Sequence, residues 1–173
     1  MQENLKKDIF KSEQNNDGSL VHEFISLAEQ TVAFANLANC QLRALAGPHL
    51  PFFKNLDEKN QIEILRSLKT YNEICAETLA NGDSLTDSKS FVWQALKKLG
   101  LRFSSDMFNF IQQENVIEIY DMNNVQIFRN FNFFGFTSYA LEDLLCRPWV
   151  ELFHRANQEH INEMIATGSP LDF

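Results

Sequence analysis

A cluster of aromatic residues is the feature of the sequence with the clearest potential for chemistry. The segment FRNFNFFGFTSY, from Phe128 to Tyr139, holds five phenylalanines within nine residues. Apolar and aromatic side chains dominate small-molecule sites, so the cluster could form the wall of a ligand pocket. Aromatic side chains also bury large areas in protein cores, so it could be core instead. Core packing, a pocket wall and a partner-binding patch are the three interpretations, in that order of preference.

A pocket at this segment would be built by its aromatic side chains, its asparagine and a tryptophan further along the chain. The predicted wall comprises Phe128, Asn130, Phe131, Phe134, Phe136, Tyr139 and Trp149. Phe133 and Phe134 are adjacent and diverge by about 100° on a helix, so the phenylalanines cannot all point inward. At least one of them is expected to face another segment or a partner.

Catalytic and metal-binding motifs are missing from the sequence, which has no GxSxG, no HExxH and no glycine-rich phosphate loop. His154 and His160 lack the i, i+4 spacing that brings two imidazoles to one metal. Asp121 lacks the following glutamate of a calcium loop. Glu142 and Asp143 begin a predicted helix, where the macrodipole favours carboxylates. We predict no enzyme, no catalytic residue, no metal and no cofactor; a Ser–His or Cys–His pair assembled by the fold is the alternative.

The composition indicates a globular protein of one domain or two small ones. The chain has 173 residues, of which 45% are hydrophobic and 22% are charged. No run approaches the roughly 18 apolar residues of a membrane span, and the first residues lack the apolar segment of a secretory signal. The three cysteines form no CxxC pair, which favours neither disulfides nor zinc. We expect a cytoplasmic protein that does not bind membranes.

The charge argues against direct binding of nucleic acid. The 15 Lys and Arg residues and 23 Asp and Glu residues give a net charge of -8, whereas affinity for DNA or RNA rests on clustered basic side chains. If the protein acts on DNA, another segment or a partner must bind it.

Residues 1–18 are polar and predicted to be flexible, and a long helix is predicted after them. Ser19 can cap this helix, and Gly47 with Pro48 is a typical stop signal. Its apolar face is wide enough to pack against several helices. Three small residues on that face permit the close approach of another helix: Ala28, Ala35 and Ala38. We expect a central bundle helix, or a homodimer through this helix.

Two further helices complete a predicted helical bundle and dimerisation region at residues 19–102. Asp57 can cap the second helix, whose apolar residues recur at helical spacing until Gly82 ends it. The third helix contains Trp93 as a core candidate and ends at Gly100.

From residue 103 the pattern changes from helical to strand-like. A short helix capped by Ser104 or Ser105 is predicted first. The runs VIEIY and VQIFRN then favour strands, and DMNN between them suits a tight turn, so we predict a β-hairpin. Helices return after it, with a break at Arg147–Pro148 because the residue before proline avoids helical ψ.

This order resembles the first half of a PAS sensory domain. VIEIYDMNNVQIFRN is similar to the first hairpin of that family, Asn130 takes the place of its common asparagine, and FTSYALEDLLCRPWVELFHR is similar to its next helices. The likeness covers residues 103–173. TSY replaces the family's usual TGY, and Arg155 stands where a Pro-Asp pair often follows the histidine.

The resemblance implies a signalling module that senses a small apolar or aromatic ligand or mediates dimerisation. Its output, expected to be transcription regulation, would lie in a domain outside this chain. A PAS domain continues with three more strands, so we expect either the N-terminal part of a longer protein or a self-contained helical interaction module without a ligand. The predicted fold class is α+β and predominantly helical, with an N-terminal helical bundle followed by a PAS-like β-hairpin and helices.

Overall fold

The computed structural model describes residues 2–102, 104, 106–122 and 125–152. The elements in chain order are α1 (Gln2–Leu37), a 3-10 turn (Phe53–Asn55), α2 (Glu58–Ala80), α3 (Ser88–Lys98), α4 (Met107–Phe110), β1 (Glu118–Tyr120), β2 (Gln126–Arg129), α5 (Phe131–Gly135), α6 (Leu141–Cys146) and α7 (Trp149–Leu152). The fold is predominantly helical with a small two-stranded antiparallel sheet. The predicted α+β class is therefore confirmed.

Helix α1 has different ends from those predicted. It begins at Gln2, upstream of Ser19, and ends at Leu37 rather than at Gly47. Asn39 follows in the left-handed conformation, with a φ of 54°. The N–H of Cys40 donates to the carbonyl of Ala35 at 2.8 Å. This is the pattern of a Schellman cap, in which asparagine takes the place usually held by glycine.

Helices α2 and α3 follow the predicted signals closely. The Asp57 carboxylate accepts a hydrogen bond from the backbone N–H of Asn60 at 2.8 Å and so caps α2. Gly82 and Gly100 follow α2 and α3 with φ of 82° and 67°, conformations that glycine adopts without strain. Trp93 differs from the prediction, because 52% of its surface is exposed.

The small-residue face of α1 packs against α2 of the same chain. Ala28 and Ala35 are fully buried. Between them, the hydroxyl of Thr31 lies 2.8 Å from the amide oxygen of Asn72 on α2. The Asn72 side chain also donates to the carbonyl of Leu27 at 2.9 Å. A homodimer through α1 would therefore use a different face of the helix.

The hairpin and the helical bundle share one core. Strand β1 pairs with β2 in the register Glu118–Arg129, with a bulge near Tyr120. Two strands alone are marginally stable. The core that covers them includes Tyr71 of α2, whose ring centroid lies 5.9 Å from that of Phe128. The boundary predicted at residue 102 thus falls between two regions packed on each other.

Lys98, at the end of α3, contacts two glutamates of α2. Its ammonium nitrogen lies 2.9 Å from the Glu73 carboxylate and 2.7 Å from that of Glu77. The hydrogen bond from Lys98 lowers the pKa of the Glu77 carboxyl. A carboxyl whose folded pKa is lowered adds stability above its unfolded pKa, and this stability is lost as the pH falls through the folded pKa.

Lys98→Met is therefore expected to lower the Tm at pH 7 by a small amount, because surface ion pairs contribute little to stability. At about pH 3 the substitution should lower the Tm less, because free glutamates are protonated there. The measurement is the difference in Tm between wild type and variant at each pH. Lys59→Met is the matched control, since its contact with Glu63 is 4.0 Å long and exposed. Equal Tm differences at both pH values would contradict this account.

Among the described helices, none combines the length and the apolar character that a membrane span needs.

Candidate functional site

The aromatic cluster lies mainly in the core. Phe128, Phe131 and Phe134 are each less than 5% exposed. The ring of Phe131 stacks on that of Phe91 with centroids 5.5 Å apart, and the rings of Phe131 and Phe134 both contact the ring of Tyr71 edge-on. This packing is shared between α2, α3, β2 and α5. These three phenylalanines are therefore part of the core. Contact between any of them and a ligand stays a prediction.

A cleft of about 850 Å³ lies beside this core. Its walls come from the end of α1 and the loop after it (36–43), the loop that leads into α3 (85–88), Glu114 and the segment 130–139. Five of the predicted wall residues line it: Asn130, Phe131, Phe134, Phe136 and Tyr139. The cleft therefore lies where the predicted bundle meets the predicted PAS-like region.

The other two predicted wall residues lie elsewhere. Phe128 borders a separate, smaller cavity of about 30 Å³. Trp149 of α7 stacks on Phe133, with ring centroids 6.0 Å apart. The structure thus does not bring all seven predicted residues to one site.

Phe136 is the most accessible aromatic residue of the cleft. It follows α5 and is 79% exposed. Tyr139, by contrast, is partly buried, and its hydroxyl donates to the carbonyl of Leu152 at 2.5 Å. Phe136 can therefore stack on a ligand without first leaving a packed position.

A charged side chain on the cleft wall can orient a bound ligand. The Arg43 guanidinium donates to the carbonyl of Ser138 at 2.9 Å, which holds its positive charge next to the segment that carries Phe136. Such a site suits a molecule with an aromatic or apolar body and a polar end.

Asn130 performs a structural role at the base of the cleft. Its side-chain oxygen accepts from the N–H of Ile117 at 3.1 Å, and its amide nitrogen donates to the carbonyl of Asn115 at 2.8 Å. Both polar ends of the side chain are thus used to join the start of β1 to the end of β2. The asparagine fixes the position at which α5 begins.

Cys40 also lines the cleft, and it is not an activated nucleophile. Its thiol lies 3.5 Å from the carbonyl of Phe131. Burial raises the pKa of this thiol above its ordinary value, so the reactive thiolate is scarce at neutral pH.

Glu142 has a structural role beyond the helix-dipole role that the sequence predicts for it. Its side chain is fully buried. One carboxylate oxygen accepts from the N–H of Ala46 at 2.9 Å, and the other accepts from the N–H groups of Phe52 and Phe53 at 3.0 and 3.2 Å. In return, the N–H of Glu142 donates to the carbonyl of Ala44. Helix α6 and the loop after α1 are therefore bound to each other, and this loop continues from one wall of the cleft.

The sequence carried only a weak signal for this role. An acidic residue in the first turn of a helix is explained equally well by the macrodipole. The three N–H donors belong to a loop about 90 residues earlier, and no local pattern links the two segments.

No group of three or more His, Cys, Asp or Glu side chains that could hold a metal ion occurs within the residues that the structure describes. His154 and His160, together with Arg155, lie outside those residues.

Comparisons of the chain with protein-family models, with curated proteins and with solved structures found no match.

Proposed function

We propose that this chain is the sensory part of a cytoplasmic signal-transduction protein, in which a small ligand in the cleft controls an output domain outside the chain. Transcription regulation is the proposed output. The observation that carries the proposal is the position of the cleft, whose walls come from both the helical bundle and the segment 130–139. A ligand there would contact both regions at once.

The order of the elements supports the PAS-like part of the proposal. Strands β1 and β2 are followed by the short helices α5, α6 and α7, which is the order that the resemblance implies. Helices α6 and α7 are separated at Arg147–Pro148. No catalytic chemistry enters the proposal.

The proposed mechanism is a shift between two packing states of the cleft walls. A ligand can shift such an equilibrium only by binding one state more tightly than the other. The segment 36–43 continues into the loop bound by Glu142, and Glu142 belongs to α6. Closure of the cleft around a ligand would therefore act on α6 through that loop.

The proposal is tested by a thermal-shift screen of the purified chain with a library of small aromatic molecules that carry one polar group. A compound bound at ten times its Kd is expected to raise the Tm by about 3 to 6 °C. Gly135→Trp is expected to abolish this rise. Gly135 borders the cleft, and a Cβ there would meet nothing within 4 Å, so there is room for a side chain to start at this edge of the cleft.

Gly18→Trp is the matched control, because a Cβ at Gly18 also meets nothing within 4 Å and this residue lies on α1, away from the cleft lining. It should keep the wild-type response. Phe136→Ala should weaken binding with little loss of stability, since the side chain is mostly exposed. A compound that still raises the Tm of the Gly135→Trp variant does not bind in the cleft. A screen that yields only such compounds would refute the proposal.

A second candidate function is a protein–protein interaction module without a small-molecule ligand. It is favoured by exposed apolar side chains on α3 and α4: Trp93, Met107 and Phe110 are 52%, 41% and 78% exposed. A homodimer through α1 also belongs among the proposed interactions, on a face other than that of Ala28 and Ala35. In this alternative, partner binding would depend on Phe110 and would be unaffected by Gly135→Trp.

A further inference from the structure

The outer side of α3 is basic, although the chain as a whole is acidic. Lys89, Trp93 and Lys97 recur at intervals of four residues, so they lie on one face of the helix, and all three side chains are exposed. The segment 88–110 has four basic residues and one acidic residue, Asp106, whereas the net charge of the whole chain is -8. This segment therefore differs in charge from the rest of the chain.

Three of the four basic side chains have no ion-pair partner among the described residues. Lys98 contacts two carboxylates of α2, whereas none of the ion pairs there includes Lys89, Lys97 or Arg102. Lys89 and Lys97 lie about one turn before and one turn after Trp93. These two lysines can therefore pair with carboxylates of another molecule.

Apolar side chains of α4 lie next to this face of α3. The ring of Trp93 contacts the ring of Phe108 edge-on, with centroids 5.8 Å apart, which brings the two helices together. Met107 and Phe110, close to Phe108 in the sequence, are exposed. Exposed apolar side chains that lie together mark interaction sites, and Trp, Phe and Met are enriched at the centres of protein interfaces.

We propose that these side chains form a docking surface for an acidic amphipathic helix of a partner protein. The surface, called the basic–aromatic face below, consists of Lys89, Trp93, Lys97, Met107 and Phe110. The apolar side of the partner helix covers the aromatic rings, and its carboxylates lie against the two lysines. The surface shares no residue with the cleft lining, so this proposal is independent of ligand sensing and gives the interaction module a class of partner.

The geometry of α3 favours a helical partner. Lys89 and Lys97 are separated by about 12 Å along the helix axis, at 1.5 Å per residue. A second helix packed along α3 has the same rise, so two acidic residues eight positions apart on it, with an apolar residue between them, match this pattern. Amphipathic helices bind in this way, with apolar residues at helical spacing as anchors. The charges then fix the register and disfavour partners of the wrong sign.

The overall charge favours a short acidic segment over an extended polyanion. Nucleic acids and anionic membranes present charge over a large area, and such an area would also meet the acidic surface that gives the chain its net charge of -8. Affinity for phosphates rests on many clustered basic side chains. A single helix contacts only the basic–aromatic face, where basic residues outnumber acidic ones.

A phage-displayed library of amphipathic helical peptides, each about five turns long, tests the proposal on the full chain. Its members share an apolar face and carry acidic, basic or uncharged side chains on the other face in equal shares. We expect the acidic members to be enriched. In fluorescence anisotropy, the double variant Lys89→Glu/Lys97→Glu should weaken the binding of an enriched peptide by roughly tenfold or more, and Phe110→Ala should do the same.

Lys59→Glu is the matched control, because Lys59 is an exposed lysine of α2 and lies about 20 Å along that helix from Glu73, which Lys98 contacts. It should leave the affinity for the peptide unchanged, as should Gly135→Trp at the cleft. Enrichment of basic or uncharged peptides, no enrichment, or an affinity that the double variant leaves unchanged would overturn the proposal. Binding of oligothymidine or of phosphatidylserine vesicles that is lost in the double variant would also overturn it, since the face would then bind polyanions.

Discussion

Glu142→Ala is expected to lower the free energy of unfolding by about 4 kcal/mol. The substitution leaves the N–H groups of Ala46, Phe52 and Phe53 without their acceptor, and the N–H of Phe53 is buried. Each hydrogen bond to a charged group is worth roughly 1.5 to 3 kcal/mol, and the three effects are not fully additive. The loop would also lose the anchor that holds Phe53 against Phe24, where the two rings stack with centroids 4.2 Å apart.

Chemical denaturation of wild type and variant measures this difference. Glu142→Gln is expected to cost less, about 2 kcal/mol, because the amide oxygen can still accept while its nitrogen meets a donor. Glu29→Ala, at an exposed position of α1, is the matched control and should change stability by less than about 0.5 kcal/mol. A loss below about 1 kcal/mol for Glu142→Ala would mean that solvent replaces the carboxylate, contrary to its buried position.

Phe91→Ala is expected to destabilise the protein by about 4 kcal/mol, because truncation of a fully buried phenylalanine removes apolar contact and leaves a cavity. Phe91 has no exposed surface. Its ring contacts those of Tyr71, Phe128 and Phe131 at centroid distances of 6.1, 5.1 and 5.5 Å. It therefore lies between the helical bundle and the hairpin, and its loss should weaken both.

Urea denaturation followed by far-ultraviolet circular dichroism and by tryptophan fluorescence measures this effect. The two signals should share one midpoint in the variant as in the wild type, since a shared core unfolds as a unit. Trp93→Ala is the control on the same helix; half of this side chain is exposed, so its loss should cost less. Two separate midpoints would show that the bundle and the hairpin fold independently.

The sequence allowed the elements with strong local signals to be predicted. Asp57 and Gly82 mark the ends of α2 because a cap and a left-handed glycine act on the residues beside them. The end of α1 was misplaced because Asn39 adopts the left-handed conformation that Gly47 was expected to supply. Asparagine is a less frequent helix stop than glycine, so its signal is weaker.

The candidate site was less predictable because it depends on contacts between distant segments. The aromatic segment at 128–139 correctly indicated a dense cluster, but its periodicity could not tell which rings face Tyr71 and Phe91 and which, like Phe136, remain exposed. The carboxylate of Glu142 receives its donors from a loop far away in the sequence. The cleft exists only because residues 36–43 and 85–88 meet the aromatic segment.

The proposed sensory role depends on the core that the hairpin shares with the helical bundle. Since the hairpin packs on α2 and α3 through aromatic rings, a change at the cleft acts on a single folded unit. In the proposed mechanism, the loop held by Glu142 connects residues 36–43 to α6.

The most direct test of ligand sensing is backbone amide chemical-shift mapping of the chain with the strongest compound from the thermal-shift screen. If a ligand binds in the cleft, perturbed amides are expected to cluster at residues 36–43, 85–88 and 130–139 and to extend to residues 46–53 through the Glu142 contacts. Gly135→Trp should remove these perturbations, and Gly18→Trp should preserve them. Perturbations centred on Trp93 and Phe110, or none at the cleft, would contradict ligand sensing at the cleft and favour the interaction module.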